Sequence, residues 1–201
     1  MFAACLLPAI LFTLGAFGKG PIDLGADPVS RIIHGMGRTA LNLLLITLAV
    51  TPLRKLLHMP DLLRVRRMLG LFAFTYVLLH FTAYAWLDQG LQYRNVGAEI
   101  VKRPYITIGM TALLLLIPLA VTSTNSMMRR LGRRWQKLHR LVYVITALGL
   151  WHFYWQVKKD IREPLLYIGI FAVLMGLRII MKSWPAKAPG RTAVPGPSPG
   201  N

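Results

Sequence analysis

The stretch LHRLVYVITALGLWHFYW, residues 138–155, decides how the chain is read. It is apolar and close to the roughly 20 residues that a helix needs to cross the hydrocarbon core of a bilayer. Yet it carries His139 near one end and His152 near the other, 13 residues apart. Ionisable groups inside a membrane are costly, so each needs a partner or a task. Satisfied core residues, a proton path and metal ligation are the three readings that the rest of the chain must separate.

Of the 201 residues, 55% are hydrophobic and 15% charged, with a mean hydropathy of +0.50. A soluble domain carries about a quarter charged residues, so this balance points into a membrane. Six stretches, near 1–17, 37–53, 68–87, 104–122, 138–157 and 164–182, approach or reach spanning length. They predict an all-α integral membrane protein, a six-transmembrane-helix bundle filling residues 1–184. The first stretch lacks the basic n-region and small-residue cleavage site of a signal peptide and is read as a helix. Pro52, Pro60, Pro104 and Pro164 punctuate the short connections. PAKAPGRTAVPGPSPGN, 185–201, is rich in Pro and Gly and predicts a disordered tail. No soluble domain is left over, and no internal repeat is evident.

The net charge of +17 would suggest nucleic acid in a soluble protein, but in a membrane protein it reads by position. Loop 54–67, loop 123–140 and the C-terminal segment carry fifteen Lys and Arg against one acid, Asp61. The opposite loops carry nine basic residues against six acids. The positive-inside rule then places both termini and the Arg-rich loops in the cytoplasm, an N-in/C-in topology. Nucleic-acid binding is not expected.

Five histidines are present. His34 and His58 fall in expected loops and read as solvated or interfacial side chains. In the expected topology, spans three and five both run outward, which puts His80 and His152 at similar depth in the periplasmic half. His139 lies about 20 Å away from His152 along an ideal helix, near the cytoplasmic face. Two neutral imidazoles at matched depth can ligate one metal from opposite sides. The single cysteine, Cys5, rules out a C-x-x-C-H attachment site and any Cys-ligated cluster. A non-covalent, b-type haem between His80 and His152 is therefore the natural candidate. Interhelical hydrogen bonding by the same histidines is the competing reading.

A second haem nearer the cytoplasm would use His139. Its opposite ligand should lie 13 or 14 residues before His80, where Arg66 and Arg67 stand instead. Arg66 roughly shares a helix face with His80 and suits a haem propionate, although an Arg there also follows from the positive-inside rule. On one ideal helix His139 and His152 would sit about 140° apart, so either the helix is locally distorted, with Gly149 as a candidate, or the two cofactors sit on different sides.

Three other signals are weaker. GMGRTA, 35–40, matches a dinucleotide fingerprint, but no strand precedes it and a membrane span follows. Trp151, Phe153, Tyr154 and Trp155 fit an interfacial aromatic belt. MMRRLGRRWQKLHR, 127–140, would attract anionic lipid headgroups, an acidic electron donor or the phosphate of a flavin mononucleotide.

The segments GADPV at 25–29, GRTAL at 37–41, RRMLGL at 66–71, LLH at 78–80, RPYITIG at 103–109 and LGRRWQKLHRLVY at 131–143 together resemble the MsrQ family. These are haem-binding membrane subunits of bacterial periplasmic methionine-sulfoxide reductase systems, within the ferric-reductase-like transmembrane group. The resemblance covers roughly residues 20–182. It implies a cytochrome b that passes electrons from a cytoplasmic flavin reductase or the quinone pool to a periplasmic molybdopterin-containing subunit, which reduces protein methionine sulfoxide. Carried over by position, His80, His139 and His152 match the family's haem-ligating histidines. The wider group usually supplies a second histidine from span three, and Arg66 stands where that residue would be. Flavin mononucleotide is a further cofactor that the resemblance implies. Other members of the wider group have a C-terminal flavin and nicotinamide domain, whereas here a tail is expected, so NADPH would act only through another protein.

The expectation is thus an electron-transfer subunit of an oxidoreductase system and not its catalytic subunit. The rivals are a stand-alone transmembrane ferric or quinone reductase and a proton-coupled transporter. Transport is disfavoured because the spans hold no Asp or Glu to pair with the histidines.

Overall fold

A computed structural model describes residues 2–19, 21, 23–57, 62–157 and 160–183. All regular structure in these residues is helical. The helices are α1 Phe2–Ala16, α2 Pro28–Leu57, α3 Leu62–Ala83, α4 Tyr93–Lys102, α5 Pro104–Val121, α6 Asn125–Leu131, α7 Arg133–His139, α8 Leu141–Gln156 and α9 Arg162–Ser183. A π-helical turn, Tyr84–Asp88, continues α3. Four helices are long and apolar enough to cross a membrane: Pro28–Leu57, Val65–Asp88, Pro104–Val121 and Arg162–Met181. Helices α1, with 15 residues, and α8, with 16, are shorter. His58 and the expected tail lie outside the described residues.

Two helix pairs form the body of the molecule. The largest packing surfaces join α2 to α3 and α5 to α8; α3 touches α5, and α9 lies on α2 and α8. Leu48, Ala73, Tyr76 and Ile145 form the best-buried part of the core. Leu114, Leu166, Val173 and Ile179 stay exposed. Apolar exposure on this scale suits lipid and not water.

Helix α1 docks through an interrupted ladder. Pro8 has no N–H to offer its own helix. One residue on, Ala9 donates its N–H to the Tyr76 hydroxyl at 3.0 Å, and that hydroxyl donates to the Cys5 carbonyl at 2.6 Å. A side chain from α3 is therefore inserted where α1 would close its own i→i−4 bond.

Helix α2 starts earlier than the sequence reading placed it. Asp27 Oδ1 accepts from the N–H of Ser30 at 3.1 Å, and Pro28 follows Asp27 as the first helical residue. This is an N-cap followed by a pre-organised proline. It carries GMGRTA and His34 into a helix instead of a loop.

The expected fifth span is also split. Gly132, at φ +50, separates α6 from α7. Arg140 donates to Lys137 O and accepts from the N–H of Tyr143, two i→i−3 bonds that end α7 before α8 begins. His139 and His152 thus belong to different helices, and the distortion falls at Arg140 rather than Gly149.

An internal repeat is present after all. Gly37-Arg38-Thr39-Ala40-Leu41 on α2 corresponds to Gly109-Met110-Thr111-Ala112-Leu113 on α5, and His80-Phe81 on α3 to His152-Phe153 on α8. Each pair is 72 residues apart. So few shared positions become visible only when the two helix pairs are seen to do the same thing.

Candidate haem-binding site

The repeated positions converge on one place. His80 from α3 and His152 from α8 face each other with ring centroids 6.1 Å apart and planes at 81°. Metal–imidazole bonds of about 2 Å on each side, plus the radius of each ring, put two such centroids roughly 6 Å apart.

Each ring is held by the neighbouring helix. His80 Nδ1 lies 2.8 Å from the carbonyl oxygen of Ile33 on α2, and His152 Nδ1 lies 2.6 Å from that of Tyr105 on α5. A carbonyl only accepts, so both rings donate Nδ1–H, which in the neutral imidazole is the tautomer with Nε2 unprotonated. That leaves Nε2 of each as the nitrogen with a lone pair to offer. Such a second bond fixes the tautomer and ring orientation of a metal-ligating histidine.

One helical turn beyond each carbonyl stands a glycine. A Cβ at Gly37 would lie 3.0 Å from His80 Nδ1, and one at Gly109 would lie 2.8 Å from His152 Nδ1. The imidazoles occupy the space that a side chain would take. The fingerprint-like glycines of GMGRTA are thus packing devices: Gly37 receives His80, and Gly35 receives the ring of Phe12 from α1.

Among the described residues no three His, Cys, Asp or Glu side chains converge on one point. A metal between His80 and His152 would need further donors from something other than this chain. The four pyrrole nitrogens of a haem meet that need, and the residues present fit the group.

His34 is half-buried on the same side. It pairs with Ser30 Oγ at 3.0 Å, and Gln156 Nε2 donates to its Nε2 at 2.5 Å. His34 is helical and not in a loop, because the early start of α2 turns it towards α8.

His139 stands apart at the basic end. Its Nδ1 donates to Trp135 O at 3.1 Å, and its ring stacks on Trp135 at 3.9 Å between centroids. Trp135 is in turn tied to Thr122 O at 2.9 Å. His139 Nε2 is buried and has no hydrogen-bond partner among the described residues. Arg66 is half-buried within electrostatic reach of His139, and Arg54, Arg178 and Tyr143 surround it. The structure therefore brings His80 to His152 and Arg66 towards His139. It offers no imidazole opposite His139 among the described residues. The backbone carbonyls of Ile33 and Tyr105 were invisible to sequence reasoning, since every residue carries one.

Residues 35–150 match the family described as ferric reductase like transmembrane component. A protein of Xanthomonas campestris pv. campestris (strain 8004), named protein-methionine-sulfoxide reductase heme-binding subunit MsrQ, is 53% identical over 90% of this chain and 83% of its own length. One of the same name from Herminiimonas arsenicoxydans is 48% identical over 89% of this chain and 82% of its own. The residue resemblance, the apolar helices and these matches agree: the chain is a multi-pass membrane protein that belongs to the MsrQ family, within the ferric-reductase-like transmembrane group.

Proposed function

We propose that the chain is the haem-carrying membrane subunit of a protein-methionine-sulfoxide reductase system and conducts electrons across the inner membrane. The observation that carries this reading is the opposed pair His80–His152, each with Nδ1 tied to a carbonyl and Nε2 left over. A haem bound there supplies a one-electron carrier. His80 and His152 would hold it through Nε2, and burial and nearby charge would set its potential.

His139 would ligate a second b-type haem nearer the cytoplasm. Its Nε2, buried near the Leu119 carbonyl but without a geometric hydrogen bond among the described residues, supports that role. Arg66 cannot ligate iron, because a guanidinium stays protonated and has no lone pair to give. It would instead hold a propionate through charge-assisted hydrogen bonds. The path then runs from His139 to His152 and outward to a periplasmic molybdenum-cofactor subunit, with a cytoplasmic flavin reductase or the quinone pool as donor. Six spans with both termini in the cytoplasm, residues 1–184 forming the bundle, give the Arg-rich loops the side that the positive-inside rule requires. Flavin mononucleotide rests on the resemblance alone, with the basic loop 127–140 as its place.

The test is reoxidation of the reduced, haem-loaded protein in detergent. Rapid reoxidation should need both a purified molybdenum subunit and a methionine-sulfoxide substrate. Equal reoxidation by a ferric chelate or a quinone alone would favour the stand-alone reductase.

A further inference from the structure

A second polar site lies at the basic end, outside the histidine groups. A cavity of about 360 Å³ opens between α2, α8 and α9, with Thr51, Lys55, Tyr143 and Arg178 as its polar lining. Arg178 donates through Nη2 to Leu48 O at 2.6 Å and through Nη1 to the Tyr143 hydroxyl. Its guanidinium carbon lies 5.1 Å from the centre of the Tyr143 ring. These contacts aim the head group and leave a donor over: Arg178 Nε is buried with no partner among the described residues.

Thr51 is in the same position. Thr39 and Thr47 on the same helix return their hydroxyls to the carbonyl four residues back, at 2.9 and 2.7 Å. Thr51 Oγ1 is buried and makes no such bond. Among the described residues Lys55 Nζ reaches only Met181 O, at 3.3 Å. The ion pairs among the described residues, Arg38–Glu163 at 3.1 Å and Arg103–Glu99, lie at the other end of the bundle. An uncompensated cluster of this kind is costly in a poorly solvated place unless an anion joins it.

We propose that this cavity binds the phosphate of an anionic phospholipid headgroup. Guanidinium, ammonium and hydroxyl side chains line it, which suits a tetrahedral group with several acceptor oxygens. The remaining walls, Pro52, Met175 and Ile179, are apolar. Ile179 is 72% exposed on the outer face of α9, so the cavity opens towards lipid. The charge distribution puts this end at the cytoplasmic leaflet, where anionic lipids attract basic side chains. None of the cavity's lining residues is one assigned to haem, so the lipid response can be read apart from the proposed electron path.

The test uses the full-length protein, delipidated in detergent, and follows its thermal unfolding as lipid is added. Phosphatidylglycerol should raise the midpoint in a saturating way, and zwitterionic phosphatidylcholine should not. The double variant Thr51→Val/Lys55→Gln leaves the Arg178 contacts intact. It should need at least about tenfold more phosphatidylglycerol for the same rise, a difference of about 1.4 kcal/mol. Circular dichroism and monodispersity matching the parent show that it has folded. Arg178→Lys keeps the charge but loses the fork, and should also weaken the response. Identical responses of parent and double variant, or equal rises with both lipids, would overturn the proposal. A full rise with inorganic phosphate alone would overturn the lipid assignment in favour of a soluble phosphate.

Discussion

His80 and His152 stand 6.1 Å apart, and each ring is anchored to a carbonyl 47 residues before it, Ile33 for His80 and Tyr105 for His152. Two helix pairs thus repeat one device: a carbonyl, a glycine one turn later, and a histidine delivered by the next long helix of the pair. The duplication explains how two imidazoles come to oppose each other without a shared loop or motif.

The glycines are the most exposed part of this account. Gly37→Ala and Gly109→Ala place a methyl group 3.0 and 2.8 Å from a ring nitrogen, so the imidazole must turn or shift. Each should cost about 1–3 kcal/mol of stability and alter the low-spin electron paramagnetic resonance signal of bound haem. Gly149→Ala, which meets only Leu41 at 3.6 Å, should leave that signal unchanged. Equal spectra for all three variants would show that the rings are not held as described.

Arg66 supplies a charge and not a ligand. Positive charge favours the reduced, less positive state of a nearby haem iron. Arg66→Met should therefore lower the midpoint potential of the inner haem by roughly 100 mV, the scale of one charge about 7 Å away at an effective dielectric of about 20. Redox titration by optical absorbance measures this. An unmoved potential would mean that Arg66 serves membrane orientation alone.

Tyr76 is 1% exposed, and its hydroxyl closes the gap in α1. Tyr76→Phe strands the Ala9 N–H and the Cys5 carbonyl, at a cost of about 1–3 kcal/mol. Thermal unfolding in detergent should show the loss. Bound haem should be unaffected, because the hydroxyl touches α1 rather than the histidines.

These predictions rest on residues of very different legibility. Hydropathy located the helical stretches, because an apolar run of this length has few other fates. Equal depth paired His80 with His152 before any contact was known. The start of α2 was legible in principle from Asp27-Pro28, an N-cap with proline behind it, but hydropathy alone placed the entry about one polar turn or more too late. The division of α7 from α8 was not legible, because His139-Arg140-Leu141 contains no Gly or Pro. Arg178 read as one more basic residue of the inner face, since a sequence cannot show that a guanidinium lies over Tyr143 with one N–H unpaired. The acceptors of the histidines were hidden for the plainest reason: they are backbone.

The central claim is that two histidines from two helices hold one haem while His139 serves a separate site. The most direct measurement is the haem content and redox spectrum of His80→Ala, His152→Ala and His139→Ala, each purified after haem-replete expression. The account predicts that the first two variants each lose the same spectral component and that His139→Ala keeps it. Equal loss in all three, or no haem band in the parent protein, would contradict it.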